Sequence, residues 1–79
     1  MNKYEVWMEG YAATGEHGSA HRLVSKEGKT LWEGETFKDA VKAAVEEVIE
    51  EKNYYDPERN TYWGCRFFDN EAEARSSFG

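Results

Sequence analysis

Thr36-Phe-Lys-Asp-Ala-Val-Lys-Ala-Ala-Val-Glu-Glu-Val-Ile-Glu-Glu-Lys52 places apolar residues at Phe37, Ala40, Val41, Ala44, Val45, Val48 and Ile49. These are the i, i+3, i+4, i+7, i+8, i+11 and i+12 positions of one helical face, so the stretch predicts an amphipathic helix from Thr36 to about Lys52. Thr36 stands where an N-cap belongs, and Asp39 three residues on gives a shorter-armed capping box. A helix with one apolar stripe must lay it on something, and the other segments read mostly as strands. The opposite face of the helix is acidic, carrying Asp39, Glu46, Glu47, Glu50 and Glu51.

Upstream, Lys3 to Tyr11 alternates with Tyr4, Val6 and Met8 on one side and Glu5, Trp7, Glu9 and Tyr11 on the other, the pattern of a strand. Ala12 to Ser19 is a loop by composition, and Ala20 to Ser25 resumes as a strand around Leu23 and Val24. Lys26-Glu27-Gly28-Lys29 reads as a tight turn in which Gly28 supplies positive φ, with Thr30 to Glu33 returning antiparallel to the strand before it. Downstream, Asn53 to Asn60 is a polar loop in which Pro57 forbids continuation of the helix. Thr61 to Phe68 reads as one strand, with Trp63, Cys65 and Phe67 on one face and Tyr62, Arg66 and Phe68 on the other. Asp69 or Asn70 can cap a short helix from Glu71 to Ser77. The order is β-β-β-α-β-α: a single small α+β domain over residues 1–79, an antiparallel sheet with the long helix across one face and a short C-terminal helix.

A chain of 79 residues buries only about 60% of the surface its unfolded form exposes, so its stability is modest, although 15% aromatic content adds large buried areas. One cysteine, Cys65, allows no internal disulfide, which points to a reducing compartment. The first residues carry charge where a signal peptide needs an apolar run, and no stretch reaches membrane-spanning length. A cytoplasmic protein with no membrane association is expected. Net charge is −6, and residues 35 to 58 hold eight acids against Lys38, Lys42 and Lys52. Binding a phosphate backbone needs a basic face, so direct nucleic-acid binding is not expected. An acidic face suits a basic protein partner, or simply keeps a small protein in solution.

Motifs for chemistry fail on inspection. Gly10 to Gly18 follows a strand, but Glu16 and His17 stand where a phosphate loop needs Lys and Ser or Thr. His17 and His21 are four apart, yet Gly18 and Ser19 between them argue against the helix that would present both to one metal. Cys65, flanked by Trp63 and Phe67 at strand spacing, reads as a buried and inert thiol. No catalytic residue, metal site or cofactor is expected. The acids at 46, 47, 50 and 51 oppose the helix dipole, which hints at a use beyond stability. Trp7 and Tyr11, with Trp32, Tyr54, Tyr55 and Tyr62, are more aromatics than one helix can cover, so some are expected at a contact surface.

Tyr4-Glu-Val-Trp-Met-Glu-Gly-Tyr-Ala-Ala-Thr-Gly-Glu-His-Gly18 and Trp63-Gly-Cys-Arg-Phe-Phe-Asp-Asn-Glu-Ala-Glu-Ala-Arg-Ser-Ser-Phe-Gly79, with Glu35-Thr-Phe-Lys-Asp-Ala-Val41 between them, resemble short proteins of phages and prophages of Gram-positive bacteria. That group carries no assigned activity, so the resemblance implies a setting and no site residues. Together with the charge, it implies a non-enzymatic protein that binds a host or phage protein, as anti-CRISPR and other anti-defence inhibitors do. Its contact residues would be Asp39, Glu46, Glu47, Glu50, Glu51, Trp7 and Tyr11. Gly34 to Ile49 also resembles the helix start of HicB-type antitoxins, whose partial RNase-H-like domain runs β-β-β-α-β, although the Pro-Asp-Leu-Pro-Gly stretch before that helix is missing. This second resemblance implies an antitoxin-like module that masks a small toxin. A small-molecule binder using the Gly15–His21 loop is the third alternative.

Overall fold

A computed structural model describes residues 1–9 and 19–77. Among the described residues, seven short strands and two helices follow one another as β1 (Asn2–Tyr4), β2 (Trp7–Glu9), β3 (Ala20–Arg22), β4 (Trp32–Gly34), α1 (Phe37–Val48), β5 (Tyr55–Asp56), β6 (Thr61–Tyr62), β7 (Cys65–Phe68) and α2 (Glu71–Ser76). A single 3-10 turn, Lys52–Tyr54, leads into β5. The class is the expected α+β with antiparallel sheets, a 12-residue helix and a short C-terminal helix. The strands divide differently, into a two-stranded sheet, β1-β4, and a five-stranded sheet in the order β3-β2-β7-β6-β5.

The first strand is where the reading needs correction. Lys3 to Tyr11 is not continuous: the chain leaves β1 at Tyr4, places Val6 fully inside, and enters the other sheet at Trp7. Tyr11 lies outside the described residues. The segment 20–33 is corrected with it, because β3 pairs with β2 (Trp7 opposite Arg22) while β4 pairs with β1 (Tyr4 opposite Trp32). The two arms therefore do not form one hairpin ladder with each other. The Leu23 amide donates to the Val6 carbonyl at 2.9 Å, and the Trp32 indole N–H donates to the Leu23 carbonyl at 3.0 Å. Leu23 and Trp32 are thus both drawn into the core beside Val6, and the residues between them form an excursion. The turn itself closes as expected: the Gly28 amide donates to the Ser25 carbonyl and the Ser25 amide to the Lys29 carbonyl, both at 2.9 Å, while Ser25 Oγ accepts from the Lys29 amide at 2.9 Å.

Gly28 has the expected positive φ, +92°, at the tip of that excursion, where a Cβ would meet nothing within 4 Å. The constraint is backbone conformation alone. Gly28→Val is therefore expected to lower stability by about 1 kcal/mol or more, measured by denaturant unfolding, because a β-branched residue resists that φ. An unchanged midpoint would contradict this.

α1 forms for the reasons legible in its sequence. Thr36 Oγ1 accepts from the Asp39 amide at 3.3 Å, and Ala40, Val41, Ala44 and Val45 are buried. Phe37 and Val48 pack at the margin of the same cluster, which joins Val6, Met8, Leu23, Trp32, Tyr62 and Phe67. The helix packs chiefly on β4. It ends at Val48, four residues before the expected Lys52, with Ile49 extended at φ −92°, ψ 122°. No cation stands in the last turn to offset the negative end of the dipole, and Glu46 and Glu47 add to it. The chain is then anchored elsewhere: the Tyr62 hydroxyl donates to the Glu51 carbonyl at 3.0 Å.

Thr61 to Phe68 is likewise two strands and not one. Trp63 and Gly64 have φ of +55° and +75°, the pattern of a primed two-residue turn closed by Tyr62 opposite Cys65. The polar loop 53–60 contains β5, paired with β6 across a four-residue turn. There the Asp56 carboxylate accepts from the amides of Glu58 and Arg59. Asn70 caps α2 by accepting from the Glu73 amide at 2.8 Å. Ala74 is buried outside the main core cluster.

Candidate functional site

The acids expected on one face are distributed over three places. Asp39 and Glu46 lie about 20° apart around α1, on its solvent side, but about 10 Å apart along the axis. Asp39 is in the first turn, where its charge suits the dipole. Glu47 lies about 100° further round than Glu46. It lines an open groove of about 580 Å³ whose wall also contains Lys3, Lys29 and Glu33, so its surroundings are of mixed sign. Glu50 and Glu51, both exposed, lie beyond the helix, and Glu51 caps the 3-10 turn by accepting from the Asn53 amide at 3.1 Å.

Glu46, on the solvent side, is still near enough to act on Tyr55 of β5. The Tyr55 hydroxyl is held above its ordinary pKa by burial first, and then by the negative charges of Glu46 and Asp56. On the same flank Lys38 Nζ donates to the Glu58 carbonyl at 2.8 Å, tying α1 to the β5–β6 turn. Glu46 and Asp56 thus act on one side chain of β5, the strand that forms one edge of the five-stranded sheet, and Glu51 caps the turn that leads into it.

That edge also carries aromatics which the sequence reading had divided between a loop and a buried strand face. Tyr54 and Trp63 are 47% and 60% exposed, and their rings stack at 4.2 Å between centroids with 27° between planes. The Trp63 amide donates to the Tyr54 carbonyl at 3.0 Å, and Tyr62 meets Tyr54 edge-on at 6.4 Å. The correction at Trp63 follows from the turn, which swings its side chain out of the Cys65–Phe67 face. Gly64 in the middle of an aromatic run was the signal for it. A non-glycine residue at this φ costs about 1–2 kcal/mol, and an aromatic pair returns about 0.5–1.5 kcal/mol. The two nearly cancel, so fold stability does not account for an exposed tryptophan at this position.

Trp7 is half-buried. Its indole N–H donates to Glu5 Oε1 at 2.7 Å, and the Arg22 guanidinium lies 5.4 Å from its ring, so local partners cover much of it. Of the Gly15–His21 loop, residues 15–18 lie outside the described residues, while His21 is exposed on β3 opposite Met8. Cys65 is buried, and its thiol is pushed up to about 11 by burial, then by a hydrogen bond to the Glu9 carboxylate and by that group's charge. A thiol so placed is a poor nucleophile at neutral pH. Glu9 itself is fully buried.

Among the described residues no group of three or more His, Cys, Asp or Glu side chains could hold a metal ion. No described helix is long and apolar enough to cross a membrane. No family model matches this sequence, and neither a curated protein nor a solved structure is significantly similar to it.

Proposed function

We propose that this chain is a non-enzymatic, phage-type accessory protein that acts by binding a protein with a basic surface, as host-defence inhibitors do. The observation that carries the reading is the exposed Tyr54–Trp63 stack, built on a 3-10 turn that Glu51 caps and that leads into β5, whose Tyr55 feels the charges of Glu46 and Asp56. Exposed rings bordered by charge supply the two ingredients of a contact surface. Aromatics anchor through desolvation, and rim charges steer the encounter. Of the aromatics expected to anchor the partner, Trp7 is engaged locally, so the anchor role passes to Trp63 and Tyr54.

The test compares two charge-reversed variants against the partner captured from host cells. Glu46→Lys with Glu50→Lys alters the proposed edge. Glu33→Lys with Glu47→Lys makes the same change in net charge on the groove flank. All four side chains are exposed, so both variants are expected to fold. The first pair is expected to slow association by roughly tenfold at low salt and to flatten its salt dependence, because steering is screened over about 8 Å at physiological ionic strength. The second pair should change the rate much less. Equal effects from both pairs would mean that overall charge, and not this edge, governs binding.

A further inference from the structure

Among the described residues Trp63 is the most exposed aromatic, and its surroundings select what it can bind. A stacked pair covers one face of each ring, and Trp63 remains 60% exposed with Tyr54 on it. The indole is also held in place, since its own amide is bonded to Tyr54 and its backbone sits in a two-residue turn. A fixed, solvent-facing indole can take a flat cation, a nucleobase or an apolar chain. The charge around it decides between them. Residues 50–59, the segment that carries Tyr54, hold Glu50, Glu51, Asp56 and Glu58 against Lys52 and Arg59, and the chain carries −6 overall, so a phosphate-bearing base is disfavoured. Of the cations nearby, Arg59 lies 3.8 Å from Asp56 and Arg66 lies 5.4 Å from the Phe68 ring. The fold itself uses this contact twice, setting Arg22 over Trp7 and Arg66 over Phe68.

We infer that Trp63, braced from behind by Tyr54, is a docking platform for an arginine side chain of a basic protein partner, with Glu50 and Glu51 at the start of the 3-10 turn that carries Tyr54. This inference rests on the proposed binding role and names the chemistry of the contact. A guanidinium is planar and weakly hydrated, so it lies flat on an indole while its edge donates to carboxylates. A lysine ammonium, compact and strongly hydrated, does this less well.

The probe is a blocked peptide containing two arginines separated by glycine, with lysine and citrulline counterparts, titrated into the full chain and followed by NMR. The Trp63 indole N–H is the reporter. The Trp7 and Trp32 indoles, bonded to Glu5 and to the Leu23 carbonyl, are internal controls. Trp63→Asn identifies the signal and preserves the turn, because asparagine readily adopts positive φ. The arginine peptide is expected to shift the Trp63 signal with roughly two- to fivefold tighter binding than the lysine peptide, the fold-change of an exposed cation–ring contact. Citrulline should leave it unmoved, and Trp63→Asn should abolish the preference. Equal affinity for arginine and lysine, or shifts confined to the Glu50 and Glu51 amides, would overturn the platform and leave the acidic-edge reading in place. No shift at either location would overturn both.

Discussion

Replacing Val45 by Asp places a carboxylate at the fully buried centre of the α1 stripe, and the domain is expected to unfold as a result. Val45 is 0% exposed and lies in the cluster with Val41, Ala44, Trp32 and Val6, where nothing pairs with a charge. The variant must bury an unpaired carboxylate, protonate it, or expose the apolar faces of helix and sheet. The least unfavourable of these costs about 3–5 kcal/mol. A domain of this length has on the order of 4–12 kcal/mol in total, at roughly 0.05–0.15 kcal/mol per residue. Circular dichroism at 25 °C should show lost or strongly reduced helix, and any residual transition should move to much lower denaturant. A transition at the wild-type midpoint would mean that α1 does not pack through this face.

Gly34→Ala should be the other severe substitution, although it adds a single methyl group. A Cβ at Gly34 would stand 2.7 Å from the Ala40 amide nitrogen and 2.9 Å from both the Asp39 Cβ and the Thr36 carbonyl oxygen. Two of those three atoms are backbone, so no rotamer change relieves the contact. The end of β4 and the first turn of α1 must move apart, at the place where the Thr36 cap sets the direction of the helix. Overpacking of this kind costs about 1–3 kcal/mol, and loss of the cap would add to it. Thermal unfolding of Gly34→Ala should show a fall in Tm of roughly 5 °C or more, since 1 kcal/mol shifts a domain of this size by about 4–8 °C. A Tm within a degree of wild type would show that strand and helix are not in close contact there.

The residues differ sharply in how openly they declared these outcomes. α1 was legible because its apolar period runs unbroken from Phe37 to Ile49 and Thr36 has one evident role. Its end was not, because Glu50 and Glu51 are good helix formers locally. The last turn lacks a cation to offset the dipole, and beyond the extended Ile49 the distant Tyr62 hydroxyl holds the Glu51 carbonyl, a contact no local pattern contains. The break at Glu5-Val6 left no mark, since alternation continues through it and only the choice of partner strand changes. The hairpin at Trp63-Gly64 was hidden by aromatic content that favours a strand, although Gly64 marked the place. Strand β5 was masked by Asp56, its own last residue, and by Pro57 and Asn60 of the turn that follows. As for the surface, exposure of the acids followed from helical period, and their division between two flanks of α1 was available from the same angles. That Tyr54 and Trp63 stack required the register of β5, β6 and β7, which no local pattern contains.

The central claim, that a basic protein partner sits on the edge formed by β5, the β6–β7 turn and the acids around them, is tested most directly by amide hydrogen exchange in the bound complex. Protection is expected across residues 50–56 and 61–66, with little change over 1–4 and 28–34 on the groove flank. Protection confined to the groove flank, with 50–56 and 61–66 exchanging as in the free protein, would contradict it.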